Sequence, residues 1–122
     1  MRKPSILDLS WSGFEEVDDG FSISYHFNGF LHRDNDLPAY KDRHGTLKWY
    51  KNGMLHRTKG PAIINTSKTI GEEVYYLNGQ EIKGQDREDF KKLIKCNMSQ
   101  VPLFINHPVL KDIAKERLNL NQ

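Results

Sequence analysis

Three short phrases in this chain, Tyr25-His26-Phe27-Asn28-Gly29, Trp49-Tyr50-Lys51-Asn52-Gly53 and Tyr75-Tyr76-Leu77-Asn78-Gly79, place an Asn-Gly pair at spacings of 24 and 26 residues. Self-similarity at such a period marks stacked supersecondary units, each too short to bury its own apolar face. Asn-Gly is also the strongest short hairpin signal, because both central positions of a type I′ turn require positive φ. The chain is therefore expected to fold as consecutive β-hairpins, with an exposed face available for recognition.

The residues around the turns agree. Ile23, Tyr25 and Phe27 alternate with Ser22, Ser24 and His26, the period of a half-buried strand, and Leu47 with Trp49 repeats it. The position three before each Asn is aromatic in all three units (Tyr25, Trp49, Tyr75), which predicts stacked core residues. After the turns, Phe30-Leu31-His32-Arg33 matches Met54-Leu55-His56-Arg57, and Leu37-Pro38-Ala39 matches Gly60-Pro61-Ala62. Pro38 and Pro61 lack a ladder donor and should mark the passage from one hairpin into the next strand. Asp42-Arg43-His44-Gly45 and Asn65 to Gly71 are then turns at the opposite edge, the second a candidate protruding loop.

After Ile82 the period changes from 2 to 3.6. Asp86 is expected to cap a helix with Phe90, Leu93 and Ile94 on one face. A second helix should start at Asn106 or His107 before Pro108 and carry Leu110, Ile113, Ala114, Arg117 and Leu118. The apolar connector Val101 to Ile105 is expected to be buried, with a contact site as the alternative. The sequence thus predicts a mainly β (α+β) fold: an antiparallel sheet of hairpin repeats over residues 21–83, preceded by an acidic segment 1–20 and capped by C-terminal helices over 84–122.

The length of 122 residues suits one domain with a modest core. A single cysteine, Cys96, excludes an intramolecular disulfide or a Cys-cluster zinc site and fits a reducing compartment. No apolar stretch is long enough for a signal peptide or membrane span, so no membrane partner and a cytoplasmic location are expected. The net charge of +2 is small, but acids gather at Glu15, Glu16, Asp18 and Asp19, and bases at Lys41, Arg43, Lys48, Lys51, Arg57 and Lys59. Whether the acidic stretch is ordered stays open.

The segment Trp49 to Ala62 resembles a repeat common in bacteriophage proteins, W-Y-x-N-G-x-L-H-R-x-x-G-P-A, and is similar to MORN-type hairpin repeats; the match covers about residues 21 to 82. The resemblance implies a hairpin array and a small virus-encoded protein in the host cytoplasm, engaging a host protein such as a defence or metabolic factor. Two departures are visible. The first unit has Asp34-Asn35-Asp36 before its Leu-Pro-Ala, and the third lacks Leu-His-Arg, which makes two full units and a cap. The regular glycine spacing of MORN repeats proper is absent, so no lipid binding is carried over.

Five histidines offer the best enzyme argument, with His32 and His56 equivalent and able to share a metal or proton. Repetition in register favours instead a hydrogen bond from each imidazole to the neighbouring turn. Arg33 and Arg57 either pair with Asp34, Asp36 or Asp42 or hold a carboxylate or phosphate. Tyr50 with Lys48 and Lys51, and Tyr76 beyond, either stack bases or cover the sheet. No phosphate loop, nucleophile elbow or metal-spaced set is present. The expectation is non-enzymatic protein binding through Arg33, Lys48, Tyr50, Lys51, Arg57 and Tyr76, without cofactor or metal. A nucleic-acid or phosphorylated-ligand binder using the basic central repeat, and a self-assembling structural protein, are the alternatives.

Overall fold

A computed structural model of the chain describes residues 13–66 and 72–119. The fold is mainly β, with antiparallel strands followed by two helices late in the chain. By internal packing it divides into two units, Met1–Arg57 with Pro61–Glu81 and Thr58–Gly60 with Ile82–Gln122.

In the first unit the strands are β1 (Phe14–Asp18), β2 (Ser22–Phe27), β3 (Phe30–Leu31), β4 (Tyr40–Asp42), β5 (Thr46–Lys48), β6 (Tyr50–Lys51), β7 (Met54–Leu55), β8 (Ile63–Asn65), β9 (Glu72–Val74), β10 (Tyr76–Leu77) and β11 (Gln80–Glu81). The main sheet runs β1-β2-β4-β5-β8-β9 in antiparallel order, with β3 also on β2. The pairs β6-β7 and β10-β11 form two separate hairpins.

Each Asn-Gly adopts the left-handed pair that a type I′ turn needs, with φ of 50° and 86° at Asn28-Gly29, 50° and 83° at Asn52-Gly53, and 50° and 82° at Asn78-Gly79. Trp49 and Tyr75 sit where ladder gives way to hairpin and are buried, at 7% and 6% exposure. Tyr25 lies within the continuous β2 and is half-buried. Opposite Tyr25 and Trp49, the alanines of the Pro-Ala pairs accept the aromatic N–H (Tyr25 to Ala39 O and Trp49 to Ala62 O, both 2.8 Å). Ala39 and Ala62 are completely buried, which leaves no room for a larger side chain.

The stacking of hairpin on hairpin explains the repeated words. Leu31 carbonyl accepts from Gly53 N–H (2.8 Å), His32 Nδ1 from Asn52 N–H (3.0 Å), and Arg33 N–H donates to Tyr50 carbonyl (3.3 Å). One unit later Leu55, His56 and Arg57 make the same three bonds to Gly79 (2.8 Å), Asn78 (2.9 Å) and Tyr76 (3.2 Å). Leu-His-Arg is thus the socket for the next unit's Tyr-x-Asn-Gly, and the imidazole serves the neighbouring turn as its repetition predicts. The third unit reads Glu81-Ile82-Lys83 at the same place, where no fourth Asn-Gly hairpin follows.

Strand β1 orders the acidic stretch that the sequence left open. It pairs with β2 from Phe14↔Phe27 to Asp18↔Ile23. The turn between them is held by Asp19, whose Oδ1 accepts from Phe21 and Ser22 N–H (2.9 and 2.7 Å). Asp42 does likewise between β4 and β5, accepting from His44 and Thr46 N–H (2.9 and 3.2 Å). Of the expected protruding loop, Thr66 donates to Gly45 carbonyl (3.2 Å); residues 67–71 lie outside the described part.

In the second unit, α1 spans Gly84–Lys95 and buries Phe90 and Leu93. It begins before the expected cap: Lys83 is the N-cap and Asp86 lies in the first turn, facing the positive end of the helix dipole. The second helix, α2, is Lys111–Arg117, shorter than the apolar period suggested. The His107 ring accepts from Val109 and Leu110 N–H (3.1 and 3.2 Å), holding those residues in a turn before the helix. The connector Val101–Phe104 is a 3-10 helix, and the burial favoured for it holds only in part. Val101 is completely buried, but Leu103 is 80% exposed, because three residues per turn stack Val101 over Phe104 and turn Leu103 outward. No described helix is long and apolar enough to cross a membrane.

Candidate functional site

Both repeat arginines lie flat on the aromatic residue of their own unit. Arg33 Cζ is 3.7 Å from the Tyr25 ring centroid, and Arg57 Cζ is 3.8 Å from that of Trp49. Each guanidinium also donates from Nη1 to its own unit's proline carbonyl, Pro38 at 3.2 Å and Pro61 at 3.1 Å. The platform is common to the two repeats, and the outer edge is not. Arg57 Nε and Nη2 grip both oxygens of Asp36 (2.9 and 3.2 Å), the bidentate geometry that suits a planar guanidinium to a carboxylate. Arg33 Nε and Nη2 have no partner among the described residues.

Arg33 lines a cavity of about 410 Å³ together with Phe14, Glu15 and Glu16 of β1, Tyr25, and the loop residues Asp34 and Leu37. Asp34 is engaged: with His32 Nδ1 accepting from Asn52, the ring proton sits on Nε2, which donates to Asp34 Oδ1 (2.9 Å). Glu16 lies directly across from Tyr25, and its exposed carboxylate has no partner among the described residues. The cavity therefore presents an aromatic-backed cation beside an unpaired acid.

The other expected site residues are spread along the first unit. Arg57 is engaged on every nitrogen as described. Lys48 Nζ lies 5.0 Å from the Tyr40 ring, in a row with Ser24 and Ile63 across the main sheet. Tyr50 and Tyr76 are close enough to feel one another: burial, and then the neighbouring Tyr76 phenol, push the Tyr50 hydroxyl above its ordinary value. Lys51 is exposed across the hairpin from Met54. Of the six, only Arg33 lines this cavity. The sequence reading passed over Phe14 and Glu16; the usable signal was Asp19-Gly20, a hairpin pair like the Asn-Gly pairs.

In the second unit Asp86, Asp89 and His107 approach as a metal ligand set would. His107 Nε2 is 3.1 Å from Asp89 and 3.6 Å from Asp86. A metal on Nε2 would require the ring proton on Nδ1, yet Nδ1 already accepts two backbone N–H bonds. The arrangement fits a structural clasp in which Nε2–H donates to Asp89. Asp89 is held below the usual carboxylate range by its bond from Gln85 and then by that from His107. Arg117 completes the unit, donating to the carbonyls of Leu93 in the last turn of α1 and of Cys96, its C-cap.

No family model, curated protein or solved structure matches this chain.

Proposed function

We propose that this protein is a non-enzymatic binding module whose partner is another protein. The observation that carries the reading is a row of exposed apolar side chains presented by the hairpin tips. Phe30 is 61% and Met54 45% exposed, although each packs on the glycine of the next turn. Phe14, 53% exposed, extends the row through its ring contact with Phe27 (4.5 Å). Large apolar groups held outward on hydrogen-bonded turns suit a protein interface, where aromatic and Met side chains are enriched. The resemblance to bacteriophage hairpin repeats supports a phage-encoded protein that binds a host factor and inhibits or redirects it.

The test is affinity capture from bacterial lysate with wild type and with the Phe30→Ser, Met54→Ser double variant. A stoichiometric protein held by the wild type through nuclease and salt, and lost by the double variant with unchanged circular dichroism, is the expected result. No retained protein overturns the reading. Exposed Lys41, Arg43 and Lys51 support a second reading, nucleic acid or a phosphorylated ligand; retention that collapses with nuclease or steeply with salt would favour it.

A further inference from the structure

We infer that Arg33 is the anchor of a carboxylate-binding subsite that takes an acidic side chain of a partner protein. The inference rests on the protein-binding reading and adds the chemistry of one of its contacts. The molecule contains its own reference for what this edge binds. Arg57, stacked on Trp49 and tied to Pro61, uses Nε and Nη2 to hold the Asp36 carboxylate in two bonds. Arg33 is stacked on Tyr25 and tied to Pro38 in the same way, so its guanidinium is already oriented, and the same two nitrogens are without a partner among the described residues. Fixing the side chain in advance removes much of the ordering cost that makes exposed ion pairs weak. The approach is also provided for, since Arg33 borders the cavity of about 410 Å³ on the β1 side.

The surroundings narrow the ligand. Glu15, Glu16 and Asp34 also line the cavity, and their charge opposes a bare anion. Asp34 accepts a hydrogen bond from His32, but Glu16 has no partner among the described residues. A segment bearing a basic group beside its acid would satisfy Arg33 and Glu16 together. The subsite therefore selects a mixed-charge segment, of the kind Asp-Lys, over a free dicarboxylate.

The experiment reads the arginine Nε–H resonances of the full chain by NMR during titration with sodium glutarate or with N-acetyl-Asp-Lys-amide. The Arg57 signal is the internal control, because Asp36 already fills its edge. The expected result is a saturable shift of the Arg33 signal and not of the Arg57 signal, stronger with the peptide than with glutarate; the backbone amides of Glu16 and Tyr25 in the same cavity, which still report once the guanidinium is gone, should show binding about tenfold or more weaker in Arg33→Gln, the scale of losing charge-assisted bonds. Arg33→Lys, which keeps the charge without the fork, guards against a folding defect and should lose most of the response at those same amides. A silent Arg33 signal with both probes overturns the subsite. So does a shift of that signal by Glu16→Gln without any probe, which would mean that Glu16 fills the edge internally. If Arg33 responds but the protein holds no partner in the capture assay, the protein-binding reading falls and the carboxylate site stands; if Arg33 is silent and a partner is held equally by Arg33→Gln, the reverse is true.

Discussion

The first and second repeats use one design and end differently. In both, a Leu-His-Arg socket receives the next turn, an arginine lies on an aromatic ring, and a proline carbonyl ties it down. Among the described residues only the second arginine has a carboxylate, because its partner, Asp36, comes from the loop of the unit before. The first unit is preceded instead by strand β1, with no equivalent acidic loop among the described residues. The lesson is general for arrays: the interior satisfies each unit with its neighbour, and an end unit keeps one half of an interface open.

The socket gives the largest expected effect. Both Asn-Gly turns are exposed, but His32→Leu removes the acceptor of the Asn52 N–H at a histidine only 8% exposed, whereas His56→Leu removes that of the Asn78 N–H at a histidine that is half-buried. Leaving a buried donor unsatisfied costs about 1–3 kcal/mol. Chemical denaturation should therefore show His32→Leu as the more damaging change; equal losses would mean that the imidazole acts by packing alone.

Next come the turn glycines. Gly53→Ala and Gly79→Ala share the cost of placing an alanine at positive φ, about 1–2 kcal/mol. A Cβ at Gly53 would also come within 3.2 Å of the Phe30 ring, against 3.6 Å from the Met54 chain at Gly79. The Phe30 ring cannot fold away as the Met54 thioether chain can. Gly53→Ala should lower the melting temperature further than Gly79→Ala, and the opposite order would show that the hairpins do not stack through these contacts.

Smaller still is the separation of the two arginines. Asp36→Asn removes the bidentate pair from Arg57, whose side chain is 17% exposed against 28% for Asp36. Partly exposed pairs of this kind contribute up to about 1 kcal/mol. In a double-mutant cycle Asp36 should couple to Arg57 and not to Arg33; coupling to both would remove the distinction on which the open subsite depends.

How much of this was legible in the sequence varies with the range of the interaction. The three turns were, because Asn-Gly acts locally, and the histidine socket was, because repetition in register implies service to a neighbour. Strand β1 was not: Phe14-Glu15-Glu16-Val17-Asp18 carries too many acids to read as a strand, and its stability comes from pairing with β2 and from the Asp19 turn. Such charges also suit an edge strand, where they discourage pairing with another chain. The exposed Leu103 was not singled out because an apolar run does not show which of its side chains a 3-10 turn directs outward, and the short α2 was missed because apolar spacing does not reveal that a histidine ring has taken two amide donors. That the two arginines divide these roles could not be read, since it depends on the Asp36 loop of the first unit reaching Arg57 of the second and not its own Arg33.

The smallest effect compares the turns opposite the hairpin tips. Asp19 is held below its ordinary value of 3.8 by the N–H groups of Ser22 and then Phe21. At Asp42 partial burial pushes upward, but the Thr46 N–H, the Tyr40 hydroxyl and the His44 N–H outweigh it and leave this carboxylate below 3.8 as well. A depressed folded value means that the unfolded chain binds the proton more readily, so each contribution is complete above pH 3.8 and is lost as the pH falls through the lower folded value. Thermal unfolding followed from pH 6 down through pH 3.8 should therefore show an acid-induced loss that Asp19→Asn and Asp42→Asn each reduce. An undiminished acid response in the double variant would move the sensitivity to Asp89, the carboxylate clasped to His107 in the helical unit, and would separate the acid behaviour of the two units.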